Sequence, residues 1–414
     1  MKQITLLPVL NLLSSSSLFA LGDYQCSNKS LCELEHHVDV DTLSEVFSQG
    51  KMEGQIRLAS INYHNEVAVD TLGTALGGQL KYETAKLFHT SFAVSSFISQ
   101  NVTPLSGEDE HLAEDFFTPE GGSFVYLGEA YVDYEHKHFN LRIGRQKLDT
   151  PLNDRDDIRM LPNTFEAAMA GYGGVNDFVF VAGYLKRWAG FDSGGNISTY
   201  KNILENGDGV FLAGVMNESL LDTEMQLWVY NLGGTSRISY MDAIYAKEYK
   251  SGLSIESGIQ FGFYNELEDS GVDGGAYGLK LDLSYADLTL SAALNVVDTR
   301  DGKSIVLGHG GGPYFTSMEE MTIDAINDVN AYVFGVGYNF LPDLSLNYAY
   351  GHFLGNEMGV ELDIDEQDLV LSFEQEDWDF ELSYANINDR FRSGSESASF
   401  DRLLMRANYN FKTE

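Results

Sequence analysis

Between positions 142 and 162 the chain reads "RIGRQKLDTPLNDRDDIRMLP". Arg142, Arg145, Lys147, Arg155 and Arg159 crowd into this stretch, although the chain has only 26 basic residues against 62 acidic ones and a formal charge of -36. Asp154, Asp156 and Asp157 are interleaved with them. The span 142–187 adds Lys186 and Arg187 and carries seven basic and six acidic residues. Its net charge is therefore positive inside a strongly negative chain. A planar guanidinium fork can hold both oxygens of a carboxylate. In a narrow passage with low-dielectric walls, such a local reversal of field attracts anions and orients zwitterions. Arg155 and Arg159 can equally pair with the neighbouring aspartates and pin a loop. The two roles are compatible.

The elements around the stretch place it. Period-two alternation dominates from residue 51 onward. In "LSIESGIQFGFY" (253–264), Leu253, Ile255, Ile259, Phe261 and Phe263 share one face, and Glu256, Gln260 and glycines share the other. The same pattern recurs in 275–286, 331–340, 344–353 and 378–387. Eighteen candidate strands follow, near 52–63, 73–84, 88–99, 124–135, 139–148, 164–172, 178–189, 208–217, 223–231, 238–249, 253–264, 275–286, 288–298, 331–340, 344–353, 366–373, 378–387 and 402–411. Short turns alternate with longer links, notably 100–123, 149–163, 190–207, 299–330 and 388–401. Short turns on one rim and long loops on the other are the plan of a transmembrane barrel. A closed ring pairs every backbone group, as hydrocarbon requires. The expected fold class is all-β: an antiparallel transmembrane barrel of 18 strands, its third long loop folded into a wet lumen.

Composition agrees. Tyr (23), Phe (25) and Gly (41) are abundant and Pro (7) is scarce, which suits many strands and tight turns. The carboxylate excess argues against a nucleic-acid partner. Residues 1–22 have the charge, apolar run and small-residue end of a secretory signal peptide. Its removal takes Lys2 and leaves a charge of about -37 on that cut. Residues 23–50 then form a periplasmic segment with a short helix near 41–49, where Thr42 and Glu45 have capping-box spacing and Leu43, Val46 and Phe47 can share a face. Residues 51–411 form the barrel. Cys26 and Cys32 suit a small disulfide loop in an oxidising compartment. A metal site with His36 and His37 would match no standard spacing, and no cofactor is implied.

The last strand, "RLLMRANYNF", alternates Leu403, Met405, Ala407, Tyr409 and Phe411 against Leu404, Arg406, Asn408 and Asn410. It resembles the terminal signal read by barrel-insertion machinery, although Lys412-Thr413-Glu414 follow it. The fifth strand carries Arg142 on its inward face. Arg145 and Lys147 fall on the outward face unless Gly144 marks a bulge that resets the alternation; otherwise they lie at a protein interface. The acidic second loop, 107–122, is read as a solvated loop, with cation-bridged contact to lipopolysaccharide as its alternative.

"LRIGRQKLDTP" followed by "DDIRMLPNTFEAA", together with "GGPYFTSMEEMTI" (311–323), resembles the OprD family of outer-membrane porins. The resemblance implies a barrel in the outer membrane of a Gram-negative bacterium, monomeric or loosely trimeric. It also implies a basic track down one wall and passive uptake of small carboxylates or amino acids. By position, Asp156, Arg159, Leu161, Pro162 and Phe165 match the loop motif, and Arg142 and Arg187 become candidates for the track. The candidate constriction comprises Arg142, Arg145, Asp154, Arg155, Asp156, Asp157, Arg159 and Arg187. No catalytic motif stands out among the nine histidines. A structural or adhesive barrel without transport is the alternative function.

Overall fold

The computed structural model describes residues 39–175, 177–300, 303–306, 308–323, 327–357, 360–390 and 399–413. Residues 1–22, Cys26, Cys32, His36 and His37 lie outside the described residues. One short helix, α1 (Leu43–Ser48), precedes the strands. The wall strands are β1 (Lys51–Asn65), β2 (Thr71–Glu83), β3 (Thr90–Asn101), β4 (Phe124–His136), β5 (Phe139–Gln146), β6 (Thr164–Val175), β7 (Phe178–Ala189), β8 (Val210–Leu220) and β9 (Thr223–Leu232). They continue as β10 (Ser236–Glu248), β11 (Leu253–Glu266), β12 (Gly274–Tyr285), β13 (Leu288–Thr299), β14 (Asn327–Leu341), β15 (Leu344–Glu357), β16 (Val360–Gln375), β17 (Trp378–Asp389) and β18 (Phe400–Lys412).

All pairings between consecutive wall strands are antiparallel, and the sheet closes on itself. β1 pairs with β18 from Glu53↔Lys412 to Asn65↔Phe400. No strand edge is left open, which is what lets the sheet sit in hydrocarbon. No helix among the described residues is long and apolar enough to cross a membrane. The eighteen expected strands are the eighteen observed. The tight turns carry left-handed residues, among them Lys137, Asp177, Asp222, Ala286 and Glu376. That conformation matches the twist of a two-residue hairpin. The outer rim departs from expectation at two links. Residues 233–235 and the β15–β16 hairpin are short, because β9, β10, β15 and β16 run further than the alternation indicated.

Parity sorts the two faces. Ile56, Leu80, Phe92, Ile143, Leu227, Leu279, Phe334 and Leu369 point outward and are exposed, as lipid-facing positions are in a barrel. The inward residues divide by height. Near the periplasmic turns they are polar: Gln226, Asp242, Lys280, Ser291 and Asn347. Higher up, Trp228, Tyr230, Ile238, Tyr240, Tyr264, Val297, Val333 and Phe353 are buried. Such residues can be buried inside a wide ring only if something from the chain fills that level. The long loops do so.

Candidate functional site: the loop-filled waist

The third long loop leaves β5 at Lys147 and crosses the barrel. Leu148 and Leu152 enter the apolar cluster of the β6–β17 wall. The Leu152 N–H donates to the Tyr230 hydroxyl on β9 at 3.4 Å. The other end of the loop is gripped from β1. Arg57 Nη1 and Nη2 donate to the two Asp157 oxygens at 2.6 and 2.9 Å, and Nη1 also reaches the carbonyls of Arg159 and Met160. On β18, Arg406 donates to the Asp157 carbonyl. β1 and β9 stand on opposite sides of an 18-strand ring, so a loop bound to both must span its lumen. Met160 and Leu161 pack with Phe97, Phe116, Phe117 and Phe124, which include residues of the second long loop.

The seventh long loop folds inward as well. Gln260 on β11 donates to the Pro313 carbonyl at 2.9 Å and accepts from the Phe315 N–H at 2.8 Å. Tyr314 and Tyr264 share a hydroxyl hydrogen bond at 2.6 Å. The N–H groups of Glu320 and Met321 donate to the Glu366 carboxylate of β16. This loop also meets the third one. Asp154 accepts from the N–H groups of Gly311 and Gly312. His309 sits between Asn153 and the Ile203 carbonyl, and burial pushes its imidazole down to about 4. Glu320 takes Arg159 at 3.0 Å and Arg402 at 2.7 Å. The third, fourth and seventh loops are thus one packed body.

The charges at the waist are arranged by this body. Asp154 is pushed up to about 7 by burial, with Asp192 and Asp149 adding to it. Asp156 is pushed well above the usual carboxylate range by burial and by Asp192 and Asp154. Burial acts to raise Asp157 too, but the Arg57 guanidinium outweighs it and holds the carboxyl below its ordinary value. Arg155 pairs with Asp149 at 2.9 Å. Arg159 is almost fully buried; it pairs with Asp115 and Glu320 and lies 4.8 Å over the Phe191 ring.

Five of the eight candidate residues, Asp154, Arg155, Asp156, Asp157 and Arg159, are therefore brought together in the inserted loop. Arg142 stands on the inner wall of β5, held by Asp133 at 2.9 Å and lying 4.3 Å over the Tyr131 ring. Arg145 and Arg187 are placed elsewhere. The β4–β5 and β5–β6 registers run through Gly144 without a shift, so Arg145 keeps its outward parity. It meets Glu166 at 3.1 Å and the ring of Tyr200 from the fourth loop at 4.2 Å. Arg187 joins the same Glu166 at 3.5 Å. Lys147, beyond the end of β5, turns inward to Gln79 at 2.6 Å and Glu129 at 3.7 Å.

Four charged groups of the waist, Arg57, Arg402, Arg406 and Glu320, were not singled out from sequence. Alternation did assign Arg406 to the face of Leu404, Asn408 and Asn410. Its partnership with β1 needed the ring to close. Toward the periplasm from the Arg57 level lies a cavity of about 310 Å³, lined by Gln55, Gln79, Lys81, Lys147, Asn410 and Lys412 among others. Three ammonium groups, three amides and the carboxylates of Glu53 and Asp377 thus face one space, and Glu53 pairs with Lys81 at 3.0 Å.

No family model and no curated protein matches the sequence. Solved structures match the fold. Pseudomonas aeruginosa OpdK, crystallised with vanillate, aligns with a TM-score of 0.74 at 17% identity, covering 89% of this chain and 100% of that one. Acinetobacter baumannii OccAB2 gives 0.76 at 14% with the same coverage. P. aeruginosa OccK2 (OpdF), in complex with glucuronate, gives 0.73 at 14%, covering 89% of this chain and 98% of that one. By architecture, this chain has the barrel fold of the OprD and Occ porins.

Proposed function

We propose that this protein is an outer-membrane channel for passive diffusion of small hydrophilic solutes, with a preference for those bearing a carboxylate, such as amino acids or organic acids. The observation that carries the reading is the divided lumen. Apolar loop packing fills the β6–β17 side and the outer part of the β1–β4 side, while basic side chains line the β1–β5 and β18 wall toward the periplasm: Arg57, Lys81, Arg142, Lys147 and Arg406. Each is paired with a carboxylate, Arg57 with Asp157, Lys81 with Glu53 and Glu83, Arg142 with Asp133, Lys147 with Glu129 and Arg406 with Glu381, so the wall offers a row of cationic donors with no isolated buried ion. A passing carboxylate exchanges one acceptor for another, which keeps binding weak enough for exit. The bound acids of the two structural neighbours, vanillate and glucuronate, are carboxylates of this size.

The test is conductance and uptake. Purified protein in planar bilayers gives steady single-channel current, and proteoliposomes admit small carboxylates faster than neutral solutes of equal size. Replacing Arg142 and Arg159 together by Ala shifts the reversal potential toward cations; an unchanged potential removes them from selectivity. A structural barrel without transport is the second reading. The apolar packing of the inserted loops favours it, and it gives no current.

A further inference from the structure

The segment before β1 has a place of its own. Thr42 caps α1 with a complete capping box: its hydroxyl accepts from the Glu45 N–H, and Glu45 reaches back to the Thr42 N–H. The helix has only six residues, too few to hold itself, and it is fixed to the β2–β3 turn. The Val40 N–H donates to the Lys86 carbonyl at 2.8 Å, and the Ala85 N–H to the Val46 carbonyl at 2.9 Å. The Tyr82 hydroxyl donates to the Phe47 carbonyl at 2.6 Å.

Tyr82 decides which side of the rim the helix occupies. Along β2, Leu76 and Leu80 are the exposed, outward residues, and Tyr82 continues their parity. The helix therefore lies against the outer side of the wall at its periplasmic end. Only Val46 of α1 is buried. Leu43 and Phe47, one turn apart, are 67% and 61% exposed, and Phe88 at the tip of the adjoining turn is 80% exposed. Next to them on the wall stand Met52 and Phe92, both outward and exposed. The expected shared face of Leu43, Val46 and Phe47 is thus divided: Val46 packs on the barrel and the other two are left uncovered.

We infer that α1 is an interfacial anchor whose Leu43 and Phe47 side chains insert into the periplasmic leaflet of the bilayer, with Phe88 beside them. The apolar pair extends the exposed apolar residues Met52, Leu80 and Phe92 of β1–β3 at the periplasmic end of the wall. A short helix with one apolar edge, laid in the plane of the membrane boundary, gains by burying that edge among acyl chains. The anchor also sets the path of the chain: residues 39–50 run outside the rim and leave the periplasmic mouth uncovered by that segment. This goes beyond the channel reading and stands whether or not the pore conducts.

Site-directed spin labelling tests it on the full mature chain with Cys26 and Cys32 replaced by Ser. Nitroxides are placed by Leu43→Cys, Phe47→Cys and, as the polar-side control, Ser44→Cys, in vesicles of phosphatidylethanolamine and phosphatidylglycerol. Labels at 43 and 47 should be severalfold more accessible to oxygen than to a water-soluble nickel chelate, and the label at 44 the reverse. Equal chelate access at all three positions overturns the anchor. Spin–spin broadening between copies at 43 or 47 also overturns it, in favour of a second copy covering the patch. Phe47→Asp, which leaves the strands untouched, should lift the label at 43 out of the lipid; a label at 43 that stays at its depth counts against the proposal.

Discussion

Arg57 and Asp157 lie 100 residues apart and meet through two parallel N–H···O bonds of 2.6 and 2.9 Å, fork to fork, between the first wall strand and the crossing loop. The guanidinium is buried and the carboxylate is about one-third exposed. A fully buried pair broken on one side costs about 3–5 kcal/mol. Solvent access at Asp157 lowers that here to roughly 2–3 kcal/mol, in the range for hydrogen bonds to charged groups. Arg57→Ala is expected to lower the urea midpoint of the detergent-solubilised barrel. It should also raise single-channel conductance and its noise, because the loop is then held on that side mainly by Arg406. A quiet, unchanged conductance would mean that the loop stays seated by its apolar contacts alone.

The waist carboxyls predict a pH response. Asp154, pushed up to about 7, binds a proton in the folded state where the unfolded chain, near 3.8, has lost it. Asp156 is shifted in the same direction. The folded state therefore binds more protons between those values, and stability falls as pH rises through the window. Below about 4 both states are protonated and the contribution is fully present. Ionisation of Asp154 adds negative charge to the waist, so cation permeability should rise as pH passes about 7. Asp154→Asn should flatten that rise in reversal-potential measurements while leaving the conductance at low pH close to the parent.

The strands and the inserted third loop could be read from sequence because their signals are local. Alternation marks each strand, and "NDRDDIRMLP" mixes charges with Met160 and Leu161, which a solvated loop has no use for. What joins the loops was not local. Arg57 and Arg406 become neighbours of Asp157 only after β1 and β18 close the ring. The "GHGGG" stretch at 308–312 reads as a flexible turn, yet Gly308 and Gly310 adopt φ of 103 and 128° against the backbone and carboxylate of the third loop. Arg145, a candidate for the constriction, lies instead on the outer face, because the register runs through Gly144 without a shift and the alternation alone left both faces open. Its charge is met by Glu166 of β6, and the ring it lies over, Tyr200, comes from another loop.

Gly308 offers a direct check of the loop-to-loop junction. Its φ is 103°, and a Cβ there would lie 1.9 Å from the Leu152 carbonyl oxygen. Neither the dihedral nor the contact suits an L side chain. Gly308→Ala should separate the seventh loop from the third at a cost of about 1–3 kcal/mol, the usual scale for such backbone strain. Limited proteolysis should then cut within 299–323 or 149–163 under conditions that leave the parent whole. Gly195, also at positive φ but with open space around it, is the control, and its Ala variant should resist cutting at these loops.

Glu320 joins two buried cations from different parts of the chain, Arg159 of the third loop and Arg402 of β18. Arg402 has a second partner in Glu319, and Arg159 a second in Asp115. Glu320→Ala thus removes one negative charge and leaves both guanidiniums partly compensated, which should move the reversal potential toward anions. Arg159→Ala removes one positive charge and should move it toward cations. In the double variant the two changes cancel in charge, so the potential should return close to the parent value. The stability losses should not add. Once Arg159 is gone, loss of Glu320 leaves no unpaired partner on the loop side, and the coupling should lie within the roughly 0.5–3 kcal/mol typical of contacting residues. Additive losses would mean that the pair is linked only through Arg402, and that the third and seventh loops are seated independently.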